Sequence, residues 1–171
     1  MDQLSIFDST QDREQKVAVR HFTLFVDGAS RHNPGPSGAG LCIVKDGDIV
    51  FERGFYLGTK TNNQAEYLAF LLGFFFIADY YQEGDRVRVI TDSQLLAMQV
   101  LNKYKINNSA LKPLHALAQR MVRLYDAHVG HVLRTENGRA DKMANDGIDK
   151  KVSPPEAFIE LLHSHGITLL L

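Results

Sequence analysis

A chain of 171 residues, 44% hydrophobic and 23% charged, has room for one domain with a substantial core plus short appendages. Its one cysteine, Cys42, excludes a disulfide framework and suits a reducing compartment such as the cytoplasm. No apolar run is long enough to cross a membrane and no leader pattern opens the chain, so neither a membrane anchor nor a signal peptide is expected. The net charge of -1 argues against strong indiscriminate binding to phosphate backbones. It leaves room for a local basic groove, or for a substrate that meets the protein through bound metal ions.

Residues 1–20 read as a flexible tail, because Leu4, Ile6 and Phe7 stand in polar surroundings too short to bury them. HFTLFVDGAS then gives an apolar strand, and RHNPGPSGAG, rich in proline and glycine, reads as a loop. GLCIVKDGDIVFERGFYLG is two strands joined at Asp46-Gly47, a dipeptide suited to hairpin turns. From Asn63 to Tyr81 apolar residues recur at helical spacing and fill several faces at once, which predicts a deeply buried helix. RVRVITD is a fourth strand, and Ser93 to about Lys103 is helical. Asn107-Asn108-Ser109 caps a helix to about Asp126 with Pro113 in its first turn. AHVGHVL is a fifth strand, Asn137 opens a helix to about Lys150, and an amphipathic helix covers Glu156 to His163. This order predicts an α/β domain with a mixed sheet over residues 21–151, followed by a helical extension, 152–171. The Leu169–Leu171 end suits the sheet edge, the last helix or a second copy of the chain.

Four carboxylates occupy unusual places: Asp27 and Asp92 close apolar strands, while Glu66 and Asp141 lie in the first turns of helices. Each has an ordinary structural reading. Asp92 can cap the helix at Ser93, Glu66 can complete a capping box with Asn63, Asp141 can favour a helix dipole, and Asp27 can start a turn. Gathered at the carboxyl ends of parallel strands, where α/β folds bind ligands, they would repel one another unless divalent cations sat between them. Hard oxygen donors select Mg2+ or Mn2+, and two such ions about 4 Å apart suit phosphodiester hydrolysis.

The ordered stretches DGASRHNPGPSGAG, TNNQAEYLAFLLG, ITDSQ and NGRADKMAN resemble the motifs of type 1 ribonuclease H over roughly Phe22 to Lys150. That resemblance implies a ribonuclease H-like fold, a five-stranded mixed sheet in the order 3-2-1-4-5 with strand 2 antiparallel. It implies an endonuclease that hydrolyses the RNA strand of RNA–DNA hybrids to 5′-phosphate and 3′-hydroxyl ends. Asp27, Glu66, Asp92 and Asp141 fall on the family's metal-binding catalytic carboxylates, with two Mg2+ or Mn2+ ions per site. Gly28, Asn33, Thr61, Asn62, Asn63 and Gln94 fall on positions that contact the hybrid. Short amide side chains suit a wide, shallow minor groove lined with 2′-hydroxyls; capping alone is the other reading for Asn62 and Asn63.

Two departures stand out. The basic helical protrusion of the best-known members is missing, with Lys103, Lys105 and Lys112 the basic residues nearby. The loop before Asp141 lacks the family's histidine, and Arg134 and Glu136 occupy it. His128 and His131, three apart on a strand, face opposite ways and read as structural rather than as joint metal ligands. At the start of the chain, Gln3-Leu4-Ser5-Ile6-Phe7 resembles the pentapeptide by which bacterial proteins dock on the replication sliding clamp, with Ile6 in place of leucine. The other reading packs these side chains on their own domain. A non-cleaving hybrid-binding or clamp-associated adaptor, and another nuclease of the same fold, are the rival functions. TNNQAEY counts against the second and the complete carboxylate set against the first.

Overall fold

The computed structural model describes residues 18–171. The clamp-like residues Gln3, Leu4, Ile6 and Phe7 lie outside that range. Three antiparallel strands come first, β1 (His21–Ser30), β2 (Gly35–Lys45) and β3 (Asp48–Lys60), with the turn between β2 and β3 at Asp46-Gly47. There follow α1 (Asn62–Ile77), β4 (Arg86–Thr91), α2 (Gln94–Val100), α3 (Lys112–Leu124), β5 (His128–His131), α4 (Gly138–Lys150) and α5 (Glu156–Ser164). The sheet order is β3-β2-β1-β4-β5. β2 runs antiparallel to both its neighbours, while β1, β4 and β5 are mutually parallel, the topology that the resemblance implies.

Helix α1 is buried on nearly every side because aromatic partners meet it from several directions. Phe76 stacks on Phe51 of β3 with ring centres 4.4 Å apart, Phe74 meets Tyr125 at 5.5 Å, and Phe75 meets Phe158 of α5 edge-on at 5.5 Å. Full burial of such side chains contributes roughly 1.5–3 kcal/mol each. The helix ends at Ile77, four residues short of the expected Tyr81. Arg20 explains the early stop: its guanidinium holds the Tyr80 carbonyl at 2.9 Å and the Asp85 carboxylate at 3.0 Å, drawing the chain into a turn toward β4.

The proline- and glycine-rich stretch is mostly strand rather than loop, since β2 begins at Gly35. Small residues there serve packing. Helix α4 lies across β2 with Ala140, Ala144, Gly147 and Ile148 buried, and a Cβ on Gly40 would overlap the Ala140 carbonyl. Gly40 pairs with Asp27 on β1, so this close approach sets how far α4 stands from the end of β1. Past α4, the Val152 carbonyl accepts the Tyr56 N–H of edge strand β3 at 2.7 Å. Phe158, Leu162, Ile167 and Leu169 are buried in the same core, and the Leu170 carbonyl accepts from the Lys60 ammonium at 3.1 Å. The last residues of the chain thus lie along the free edge of its own sheet.

Overpacking a tight contact costs about 1–3 kcal/mol, and in a chain of this size each kcal/mol moves the midpoint by about 2–4 °C. Gly40→Ala is therefore expected to lower the thermal unfolding midpoint by about 2–12 °C, measured by circular dichroism. An unchanged midpoint would mean that α4 is not seated on Gly40.

Candidate active site

The parallel register of β1 and β4 pairs Phe25 with Ile90. Two residues further on, just past the last β1–β4 pair, Asp27 and Asp92 stand side by side. Glu66 arrives from the second turn of α1, and carboxylate oxygens of Asp27, Glu66 and Asp92 lie within 4.8 Å of one another. Asp141, in the first turn of α4, borders the same open hollow of about 480 Å³, together with Gly28, Asn62 and Arg134. It stands outside the close triad and is held by Arg134, whose Nη2 donates to its Oδ1 at 3.2 Å.

Local capping explains why these carboxylates are unengaged by their own helices. The capping box of α1 is formed by Thr61 and Gln64: the Gln64 N–H donates to the Thr61 hydroxyl at 3.2 Å, and the Thr61 N–H donates to Gln64 Oε1 at 2.9 Å. The expected box between Asn63 and Glu66 does not form, and Glu66 turns instead to β1, where it accepts the Gly28 N–H at 3.0 Å. A Cβ on Gly28 would overlap the backbone of Ala65 and Glu66, so only glycine permits this approach. Ser93, not Asp92, caps α2 by accepting the Leu96 N–H at 3.2 Å. Asp92 is left to the hollow.

Asp27 is 5% exposed. Burial first, then the charges of Asp92 and Asp141, pushes its carboxyl up to about 8. Glu66 is raised well above the usual carboxylate range, by burial first and by the Asp27 charge next. A group of oxygens that resists ionising near neutral pH is one that a hard divalent cation would relieve. The donor set, all carboxylate oxygen, fits Mg2+ or Mn2+.

Of the polar positions, Gly28 and Asn62 border this hollow, while Asn33, Thr61, Asn63 and Gln94 are not among its lining residues. Asn33 Oδ1 accepts the Asn62 N–H at 3.0 Å, which ties the loop after β1 to the start of α1. Asn62, Asn63 and Asn33 are exposed, whereas the Thr61 hydroxyl is engaged in the cap. Gln94 is exposed at the start of α2, with its Nε2 3.4 Å from the Tyr104 hydroxyl. His131, read from the sequence as structural, has its Nε2 3.2 Å from the Asp92 carbonyl.

Sequence reasoning missed Asn137, which it took only as the start of a helix. This residue is 1% exposed, and its Nδ2 donates to the Val26 carbonyl at 2.9 Å, one residue before Asp27. It fixes the head of α4, and with it Asp141, against β1. Its Oδ1 is the only buried side-chain polar atom without a partner among the described residues. An asparagine four residues ahead of a helical aspartate was the available signal.

An acid whose pKa is raised by folding favours the fold at low pH, and that contribution is lost as pH climbs from its unfolded value of 3.8 toward about 8. In metal-free buffer Asp27→Asn is therefore expected to melt higher than the unsubstituted protein at pH 8. The gap should narrow toward pH 4, with each kcal/mol relieved worth about 2–4 °C. A thermal-melt series in chelator reads this directly; a gap that widens on acidification would contradict the assigned repulsion.

Relatives carry the same plan. The Ribonuclease HI of Halobacterium salinarum is 38% identical over 127 residues, covering 73% of this chain and 63% of that protein, so the chain spans about 63% of that relative's length. The crystal structure of RNase H1 from the same archaeon matches with a TM-score of 0.70 at 36% identity, over 78% of this chain and 99% of that one. LC11-RNase H1, solved in complex with an RNA/DNA hybrid, matches with a TM-score of 0.70 at 30% identity, over 77% of this chain and 97% of that one. The RNase H sequence profile itself matches residues 19–149, from just before β1 to the last turn of α4. A match of that span, on the same strand order, leaves one assignment: the chain belongs to the RNase H family.

Proposed function

We propose that this protein is a divalent-metal-dependent endoribonuclease that cuts the RNA strand of RNA–DNA hybrids, leaving 5′-phosphate and 3′-hydroxyl ends. The observation that carries the reading is the meeting of carboxylate oxygens of Asp27 on β1, Glu66 on α1 and Asp92 just after β4 within 4.8 Å. Membership of the family supports it, as does the hybrid held by LC11-RNase H1.

Asp27, Glu66, Asp92 and Asp141 would hold two Mg2+ or Mn2+ ions. When bound, such ions supply Lewis acidity for the attacking water and the leaving oxygen. The chain's own groups do the positioning. The Gly28 N–H fixes one Glu66 oxygen and leaves the other to the hollow. Arg134 balances the charge of Asp141 and keeps it at the wall. Gly28, Asn33, Thr61, Asn62, Asn63 and Gln94 form the surface for the hybrid's minor groove. Exposed amides there can both donate to and accept from a 2′-hydroxyl, which deoxyribose lacks. Thr61 acts through the cap it forms, because its hydroxyl, N–H and carbonyl are all engaged in the first turn of α1.

The Gln3-Leu4-Ser5-Ile6-Phe7 peptide supports a second element of the reading, docking on a bacterial sliding clamp. A tether of a dozen residues would hold the enzyme near replicated DNA at an effective concentration of about millimolar. That placement suits removal of primers and R-loops in the cytoplasm.

With Mg2+ the protein is expected to cleave a labelled RNA strand in a hybrid and to leave duplex DNA and duplex RNA intact. Asp92→Asn should slow cleavage by on the order of 10³-fold or more. Equal cleavage by that variant would remove the site assignment, and an inert protein would remove the activity. Deletion of residues 1–8 should abolish retention on an immobilised bacterial clamp while leaving cleavage of a short free hybrid unchanged. Loss of both would place the tail in the fold instead.

A further inference from the structure

The segment that follows α5 lies past residues 19–149, which carry the RNase H match, so the family plan does not account for it. Residues 166–171 run extended: Ile167 and Leu169 are buried while Thr168 and Leu170 are exposed. This strap crosses β3 at Gly58, where φ is +72° and a Cβ would overlap the Leu170 carbonyl. The pairing of β2 with β3 is irregular beside that crossing, between Ser37 and Gly38. The end of β3 therefore has a weakened ladder on one side and takes support from the strap on the other.

Lys60, the last residue of β3, joins the strap to the loop after β1. Its ammonium donates to the Leu170 carbonyl at 3.1 Å and to the Thr59 carbonyl at 3.2 Å. Burial holds its pKa below the ordinary lysine value, and no carboxylate pairs with it among the described residues. The hydroxyls of Ser30 and Ser37 reach the Lys60 carbonyl at 3.0 and 3.1 Å, and Lys60 stands opposite Gly35 in the strand register. Both ends of the loop 31–34 are thus anchored on one residue. Within that loop Asn33 Oδ1 accepts the Asn62 N–H, two residues past Lys60. Gln64, whose side chain completes the α1 cap, borders with Lys60 the two hollows beside the strap, of about 190 and 470 Å³.

Amides that meet a 2′-hydroxyl have to be placed to within about half an ångström. Asn33 and Asn62 are both exposed and are tied to each other by one hydrogen bond, so neither can fix the other on its own. The fixed points are Ile167 and Leu169, sunk in the core, and the path from them to the amides runs through Leu170 and Lys60. We propose that the strap 166–171 positions the hybrid-contacting amides of Asn33 and Asn62, with Lys60 as the positioning residue that carries the tie. This rests on the hybrid-cleaving activity proposed above. Lys60 acts through the fold, because its ammonium is engaged by two backbone carbonyls.

The test sets the unsubstituted chain beside Lys60→Met, Lys60→Arg and a chain lacking residues 170–171. Cleavage of a short labelled hybrid in Mg2+ and hydrogen exchange at the Asn62 amide are measured for each. Lys60→Met keeps the stem and removes the donor, while the deletion removes the acceptor and leaves Ile167 and Leu169 in place. Each is expected to raise KM roughly three- to tenfold, with kcat within about twofold, and to speed exchange at Asn62 by a similar factor. Together they should exceed either alone by less than about twofold, because they break the same tie. Lys60→Arg should keep KM within about twofold of the unsubstituted value. In an Asn62→Ala background Lys60→Met should lose most of its effect. An undiminished effect there would mean that Lys60 touches the hybrid itself and would overturn the assignment. Unchanged KM and unchanged exchange in either Lys60→Met or the deletion would overturn it too, while hybrid cleavage stands. An unsubstituted chain that cuts no hybrid removes the proposed activity and this inference with it.

Discussion

The parallel pairing of β1 with β4 is the constraint from which the candidate site follows. Two strands that run the same way end on the same side of a sheet, so residues at equivalent positions past their last pair become neighbours. Phe25 opposite Ile90 makes Asp27 and Asp92 such neighbours. Had β4 run antiparallel, the two aspartates would sit at opposite ends of the sheet. The crossover through α1 that parallel strands require also delivers Glu66 to the same place, and α4, seated against β2, brings Asp141.

Bringing like charges together is unfavourable, and the surrounding structure holds them by ties to the backbone, to an arginine and to the head of α4. Glu66 receives a backbone N–H from Gly28, Asp141 an arginine, and Asn137 pins the α4 head to β1 from beneath. Burial first, and then the neighbouring charges, raise the Asp27 carboxyl, and among the described residues no cation pairs with the triad to offset them. An arrangement of this kind has little use except to receive cations.

Much of this was legible in the order of residues. The Asp46-Gly47 hairpin, the aromatic helix α1 and the strand-closing aspartates all follow from periodicity and turn chemistry. What escaped was decided by competition between similar polar groups. Thr61, Asn62 and Asn63 can each cap a helix, and only the backbone angles at Thr61 choose among them. The same holds for Asp92 beside Ser93. The glycines and proline after Gly35 signal a loop by composition, yet their small size answers to α4, an element a hundred residues later. Asn137 could not be read as buried, because its depth depends on Val26 across the fold.

The way the chain finishes has a bearing on its behaviour at high concentration. An exposed β3 would offer a row of unpaired amides and carbonyls to any sister molecule. Val152 takes the Tyr56 N–H of that row, and the Leu170 carbonyl meets the Lys60 ammonium beside it. The segment after α4 thus leaves that part of the β3 edge less open to the addition of a foreign strand.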